Sequence, residues 1–522
     1  MPTSRARACC LPTLIAAALM TAACASTPST APRPATPTAA PADRAPADAR
    51  ARWLEMFARG YFPGRSGQIF VVPREGAIIT DRDELYGYMH GSPWDYDVHI
   101  PLLLHGDPFV RPGVYAAPAR QQDVAPTLAA LMDTLAPATM TGRVLDEALG
   151  TGRRPRVVVV MVLDAMRADY FDREAAVMPT LARLRREGAW FANTRIDYLP
   201  TLTSVGHATV GTGTDPRIHG LAANTTFNRV RRRPQPAYAN LDPNELMALT
   251  LADAWNLATD GQAIIVGQGG AIRATAGLIG RGACLVNGRP VLAASYSTRD
   301  AGWETNPTCY RMPEYLKAIN GRTFWEAAGG RWMGHDISDA SKFRASSLFQ
   351  RFEGEALAAV ATNEAFGADE ITDLLFVNVK GPDYVSHAYG PDSPEMREEL
   401  AELDRQVARL LAIIDAKAGP GGRLLAITAD HGMPGEPPPG QRYYTDDLVA
   451  RIHARFDPGG TALVTYYGDA ANNQIFVDTV RLRSLGHSLA EVAAMLAAEP
   501  AIAAAFTEDE VRAAQARLPR VR

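Results

Sequence analysis

Cysteine is scarce: only 5 of 522 residues. Cys9, Cys10 and Cys24 fall in the leader, which leaves Cys284 and Cys309 to pair in an oxidising compartment or to stand as two buried thiols. Charge excess is absent too, with 53 Lys and Arg against 57 Asp and Glu and a net charge of -4, so nothing argues for a nucleic-acid partner. The apolar run Leu11 to Ala23 is too short to span a bilayer, and with arginines before it and small residues behind it reads as a secretory signal over 1–25. Cys24, after Thr21, Ala22 and Ala23, has the form of a lipoprotein-processing site with Thr21 where Leu is usual; cleavage after Ala25 is the alternative. No short internal repeat is present, and 47% hydrophobic residues describe an ordinary globular chain.

Four short stretches carry the chemistry. In LPTLTSVGHATVGTGTDPRIHGLAAN, Leu199 to Asn224, a polar turn runs straight into small, helix-compatible residues. This puts Thr203 where a loop enters a helix, beside unpaired backbone N–H groups and the positive end of the dipole, a place to hold phosphate. The Val-rich run Val157 to Leu163 reads as a parallel strand buried on both faces and ends in Asp164. Asp383 and His387 in VKGPDYVSHAYG can face one ion, and Asp430 and His431 follow an apolar run in LLAITADHG. Carboxylates at the C-terminal ends of buried strands stand where open α/β sheets place ligands. Mixed nitrogen and oxygen donors favour zinc, with manganese or cobalt as substitutes. A helical Met178 to Gly188 and a returning strand in Ala189 to Ile196 complete a βαβ unit. The expected class is α/β, a mostly parallel, doubly wound sheet with helices on both faces and inserted regions. Taken singly, an Asp at a strand end is often a helix cap and a His in a Gly-containing loop is often a solvated surface residue; the set carries the argument.

The set resembles the alkaline phosphatase superfamily, in its branch of Thr-nucleophile alkaline phosphatases and type I nucleotide pyrophosphatase/phosphodiesterases. The resemblance implies that Thr203 carries a covalent phosphoryl group, and that Asn224, with the backbone N–H of Thr203 or Ser204, binds a phosphoryl oxygen. It also implies two zinc ions, one on Asp164, Asp430, His431 and Thr203, the other on Asp383, His387 and a third histidine. In the family that histidine precedes a strand near the C-terminus; here the match is His90 in HGSPWDYDVHIPLLLHGD, with His99 as the alternative. The stretches QQDVAPTLAALMD and TGRVLDEAL resemble the family's closing helix and tail, yet all of this precedes Val157. The implied circular permutation places the chain's end near Arg522 close to Trp53. The resulting layout is a leader at 1–25, a Pro/Ala-rich tether at 26–48, a permuted core segment at 49–150, core with the nucleophile at 151–227, a cap at 228–370, core with metal ligands at 371–440 and a second, smaller insertion at 441–522.

Within the cap, GAIRATAG resembles the place where the family's monoesterases carry K-x-R; Arg273 takes the Arg place as a substrate-binding residue, with a plain surface arginine as the alternative, and Ala271 stands at the Lys place. A missing lysine tilts the expectation toward phosphodiester and pyrophosphate bonds over monoesters. Arg229, Arg231, Arg232 and Arg233 either compensate or form a solvated charge run. His207 and His219 match no ligand position and read as structural. A sulfatase would need a C/S-x-P-x-R motif, which TSVGH lacks, and a metal-dependent phosphoglycerate mutase would use a cytoplasmic Ser nucleophile, against the leader. An inactive envelope binding protein stabilised by metal is the non-enzyme alternative. The expected partner is a small phosphate ester, with no nucleic-acid duplex and membrane contact only through an N-terminal lipid anchor, in the periplasm or outer envelope.

Overall fold

The computed structural model describes residues 46–468 and 473–520; the leader, Cys24 and nearly all of the tether lie outside them. The strand Val157–Leu163 is the axis of a ten-stranded sheet. Val157, Val159, Met161 and Leu163 enter one hydrophobic core, and Val158, Val160 and Val162 enter another. The two-residue period of a strand thus supplies both faces. Asp373–Val379 and Arg423–Thr428 flank it in parallel. Beyond the first lie Ile265–Gly269 and Val291–Ser297, also parallel. Beyond the second, Leu102–His105 runs antiparallel, followed by Ala189–Phe191 and Gly113–Tyr115. The helices Ser347–Asn363 and Pro394–Ala418 bury their apolar sides in the first core, Val124–Leu131 and Ile272–Ile279 in the second. This is the mostly parallel sheet, covered on both faces, that the strand pattern foretold. No helix among the described residues is long and apolar enough to cross a membrane.

The layout departs from expectation in its outer parts. Residues 228–370, expected as a cap, put Ile265–Gly269 and Val291–Ser297 into the central sheet. Both strands are buried throughout, but they read IVGQG and VLAASYS, and small residues dilute the β-branched signal. Residues 441–522, expected as an insertion, share a four-stranded sheet with the other end of the chain, in the order Val464–Tyr466, Gln474–Val477, Ile69–Pro73, Ile502–Thr507. Ile69–Pro73 therefore leaves the segment expected in the catalytic core. Ile502–Thr507, IAAAFT, belongs to an Ala-rich stretch whose composition reads as helix; antiparallel pairing with Ile69–Pro73 overrides that propensity. Arg522 lies outside the described residues, but the helix Glu508–Gln515 packs on Ala47–Gly60, which contains Trp53. Gln515 Nε2 donates to Ala58 O at 2.8 Å and Tyr61 O at 2.7 Å, and Tyr61 OH donates to Glu508 at 2.7 Å.

Cys284 and Cys309 are joined in a disulfide across a sequence separation of 25. A loop of this length stabilises the native state by about 3 kcal/mol in the chain-entropy account. Reductant should therefore lower the midpoint of thermal unfolding, and Cys309→Ala should lower it to the same extent with or without reductant. An unchanged midpoint in scanning calorimetry would contradict a structural role for the bond.

Candidate metal centre and active site

Three neighbouring strands end in charge. Val379 pairs with Leu163, and Asp164 N–H donates to Val379 O at 2.9 Å, so Lys380 and Asp164 leave the sheet side by side. Thr428 pairs with Val162, which brings Asp430 to the same edge. Asp383 and His387 lie one turn apart on the helix Gly381–Tyr389, which starts directly after Lys380. His387 Nε2 and His90 Nε2 are 3.3 and 3.7 Å from Asp383 Oδ1. His431 Nε2 is 3.4 Å from Asp164 Oδ1 and 3.3 Å from Asp430 Oδ2. The His90 and His431 rings stack at a centroid distance of 3.4 Å, so the two donor groups share a wall. Of the seven side chains singled out as cation ligands, the six from Asp and His thus converge. His99 does not: its Nε2 faces Ala192 O at 3.1 Å.

These residues fit divalent cations. Nδ1–H of His90 donates to Thr201 O at 2.8 Å, that of His387 to Tyr88 O at 2.7 Å and that of His431 to Gly432 O at 3.0 Å. Each ring therefore turns an Nε2 lone pair inward, the arrangement in which imidazole binds a metal. Asp164 spends Oδ2 on Asn378 Nδ2 at 2.9 Å, and Asp430 spends Oδ1 on His431 N–H at 3.0 Å, leaving Asp164 Oδ1 and Asp430 Oδ2 toward the site. Asp383 Oδ1, Asp430 Oδ2 and His431 Nε2 are buried and find no hydrogen bond, a cost that a cation at these atoms would remove. Donor spacings of 3.3 to 3.7 Å are those of ligands about 2 Å from a shared ion.

Burial, and next the charges of neighbouring His431 and His387, push His90 well below its ordinary value, so its imidazole is neutral. Burial likewise lowers His431. Burial and Asp430 drive Asp164 well above the usual carboxylate range. Burial opposes ionisation of Asp383 as well, but His387 and Lys380 outweigh it and hold that carboxyl low. Lys380 is held charged against burial by Asp164 and Asp383.

Thr203 is the first residue of the helix Thr203–Thr212. Ser204 N–H donates to Asn224 Oδ1 at 2.9 Å. That N–H is therefore engaged, and the amide nitrogen of Asn224 is the group left to meet a ligand. Small residues let this helix approach its neighbours. A Cβ on Gly206 would meet Asp430 Cβ at 2.6 Å, and one on Gly211 would meet Gly277 O at 2.3 Å. The second contact seats the helix Ile272–Ile279, with Arg273 in its first turn, across the Thr203 helix. Thr203, Asn224, Arg273, His90 and His387 line one cavity of about 300 Å³. Arg273 Nε is buried and has no hydrogen-bond partner. Ala271 caps the same helix without a charge.

His207 lies among the donors, yet Nδ1 faces Thr203 O at 2.8 Å and Nε2 faces Asn378 Nδ2 at 2.9 Å, so both nitrogens are taken. His219 is equally committed, to Thr209 Oγ1 at 3.0 Å and Leu221 N–H at 3.2 Å, and burial pushes it down to about 3. Arg229, Arg231, Arg232 and Arg233 are exposed. Two residues of the site escaped sequence reasoning. Asn378 orients Asp164 and His207, and Lys380 Nζ lies 3.0 Å from Thr203 Oγ. The available signal for Lys380 was the one that marked Asp164, a charged residue at the end of a buried apolar run.

Residues 158–518 match the family described as type I phosphodiesterase / nucleotide pyrophosphatase. The chain belongs to this family. Over 328 residues it is 29% identical to alkaline phosphatase PafA of Elizabethkingia meningoseptica, covering 53% of this chain and 60% of that protein. It is 26% identical to alkaline phosphatase PhoV of Synechococcus elongatus over 336 residues, 54% of this chain and 60% of that one. The chain thus spans about six tenths of the length of the curated relatives it matches. The crystal structure of wild type PafA superposes with a TM-score of 0.55 at 22% identity, over 67% of this chain and 78% of that one, a likeness of fold.

Two variants test how the site is held. Gly206→Ala forces the Thr203 helix away from Asp430; overpacking of this kind costs about 1 to 3 kcal/mol. The variant should melt earlier than the parent and retain less added divalent cation on dialysis, and unchanged cation retention would deny the close approach a role in the site. Asp97 Oδ2 accepts from Ser92 N–H at 2.8 Å and Ser92 Oγ–H at 2.6 Å, fixing the loop that follows His90. Burial raises this carboxyl to about 7. A raised acid leaves the fold most stable below the unfolded value of about 3.9, with stability falling as pH climbs through the native value. Asp97→Asn should lessen the loss in denaturant midpoint between pH 5 and pH 8, and equal losses in parent and variant would contradict the assignment.

Proposed function

We propose that this protein hydrolyses phosphoric esters with Thr203 as nucleophile and two divalent cations, zinc by donor chemistry with manganese or cobalt as substitutes. Asp164, Asp430 and His431 would hold one cation beside Thr203, and Asp383, His387 and His90 the other. The observation that carries the reading is that Thr203, Asn224 and Arg273 open on one cavity whose wall includes His90 and His387. When bound, a divalent cation lowers the pKa of a coordinated hydroxyl and offsets charge on phosphoryl oxygens. Thr203 Oγ, at the positive end of its helix, attacks phosphorus, and the bond to the leaving oxygen breaks as the new P–O bond forms. Asn224 Nδ2, oriented by the Ser204 N–H bond to its carbonyl, donates to a non-bridging oxygen, a contact worth about 3 to 4 kcal/mol. Arg273 offsets the remaining charge. Water then cleaves the phosphothreonine, releasing the phosphate product and restoring the hydroxyl.

Uncharged Ala271 leaves Arg273 as the cationic side chain lining the cavity. One guanidinium suits the monoanion of a diester or pyrophosphate better than a dianionic monoester. The names of the curated relatives, alkaline phosphatases, favour phosphomonoesterase as a second reading. We read the chain order as a circular permutation, supported by Leu102–His105 lying beside Arg423–Thr428 in the sheet. The leader and the disulfide support export to the envelope, with a small phosphate ester as partner, no duplex nucleic acid, and membrane contact only through a lipid on Cys24.

Purified parent and Thr203→Ala, each with zinc, are assayed on aryl phosphate mono- and diesters with and without chelator. Parent turnover should vanish with chelator and return with zinc. The variant should lose a factor on the order of 10³ or more at an unchanged melting midpoint. Near-normal turnover in the variant would refute the nucleophile assignment, and no turnover by zinc-loaded parent would leave the inactive binding protein. A higher kcat/KM for the monoester selects the second reading.

A further inference from the structure

Lys380 has no surface exposure, and its ammonium touches both cation-binding groups. Nζ donates to Thr203 Oγ at 3.0 Å and forms close ion pairs with Asp383 Oδ2 at 2.6 Å and Asp164 Oδ1 at 2.8 Å. The two carboxylates are not treated alike. On Asp383 the ammonium takes Oδ2 and leaves Oδ1 to face His90 and His387. On Asp164 it takes Oδ1, the oxygen that faces His431, while Oδ2 is already bound to Asn378. The pocket of His90, Asp383 and His387 therefore keeps its donor atoms free. The pocket of Asp164, Asp430 and His431 has one of its oxygens occupied by a positive charge.

From this asymmetry we infer that Lys380 is a resident cation that makes the two pockets unequal, with tight binding of a divalent ion at His90, Asp383 and His387 and weakened binding at Asp164, Asp430 and His431. An ion entering the second pocket meets an ammonium already on Asp164 Oδ1, in a buried site where solvent does little to screen the repulsion. It must share that oxygen or displace the lysine. The inference rests on the two-cation reading above, and it concerns occupancy, so binding tests it without an assay of turnover.

Metal-free parent protein and Lys380→Met are titrated with zinc in equilibrium dialysis, with bound zinc measured by elemental analysis. The parent should show one tight ion and a second at least tenfold weaker, or one ion alone. Lys380→Met should tighten the weaker class at least tenfold and change the tight class less. Lys380→Gln replaces it where the methionine variant does not yield folded protein, and the parent isotherm needs no variant. Two equal classes in the parent, or a weaker class that stays the same or loosens when the charge is removed, would overturn the inference while leaving two cations in place. No zinc bound by the parent would overturn the two-cation reading, and the inference with it.

Discussion

The chain keeps three carboxylates, Asp164, Asp383 and Asp430, out of water beside a single lysine ammonium. Charges held this way carry a heavy desolvation cost unless they are paired and hydrogen-bonded. The rest of the architecture maintains that arrangement. Parallel register between Asp373–Val379 and Val157–Leu163 sets Lys380 against Asp164, and register with Arg423–Thr428 brings Asp430 alongside. A slip of one residue in either ladder would turn the charged row into the opposite core.

The imidazoles join this frame to the loops around it. His90, His387 and His431 each give Nδ1–H to a backbone carbonyl, and the three carbonyls belong to Thr201, Tyr88 and Gly432. Thr201 is in the turn that enters the Thr203 helix, so one hydrogen bond ties His90 to the segment that carries Thr203. Tyr88 accepts from His387 while its own N–H donates to His387 O, fastening the segment before His90 to the helix of Asp383. The donor atoms are thus positioned by main chain rather than by flexible side-chain partners, which favours a site built before its ligands arrive.

Much of this was legible where one local signal sufficed. Asp164 and Asp430 follow apolar runs, Asp383 and His387 have helical spacing, and the small residues after Thr203 mark a helix packed closely at Gly206 and Gly211. Lys380 ends an apolar run in the same manner, but a lysine there has no local reason to be more than a solvated strand end. Two of its three partners, Asp164 and Thr203, are remote in sequence, Thr203 by 177 positions. Ile265–Gly269 and Val291–Ser297 were hidden because glycine, alanine and serine fill strands whose stability comes from burial on both sides rather than from propensity. Ile502–Thr507 was hidden because its pairing partner lies at the far end of the chain.

The small sheet that unites Ile69–Pro73 with Gln474–Val477 and Ile502–Thr507 has a consequence for biogenesis. Gly67 N–H bonds to Gln474 Oε1 across 407 positions, and closing so long a span is entropically expensive and slow. A ribosome that delivers the chain from its amino end must release the last strand before the first one finds its neighbours. Until then a strongly apolar ribbon, IFVVP, waits uncovered.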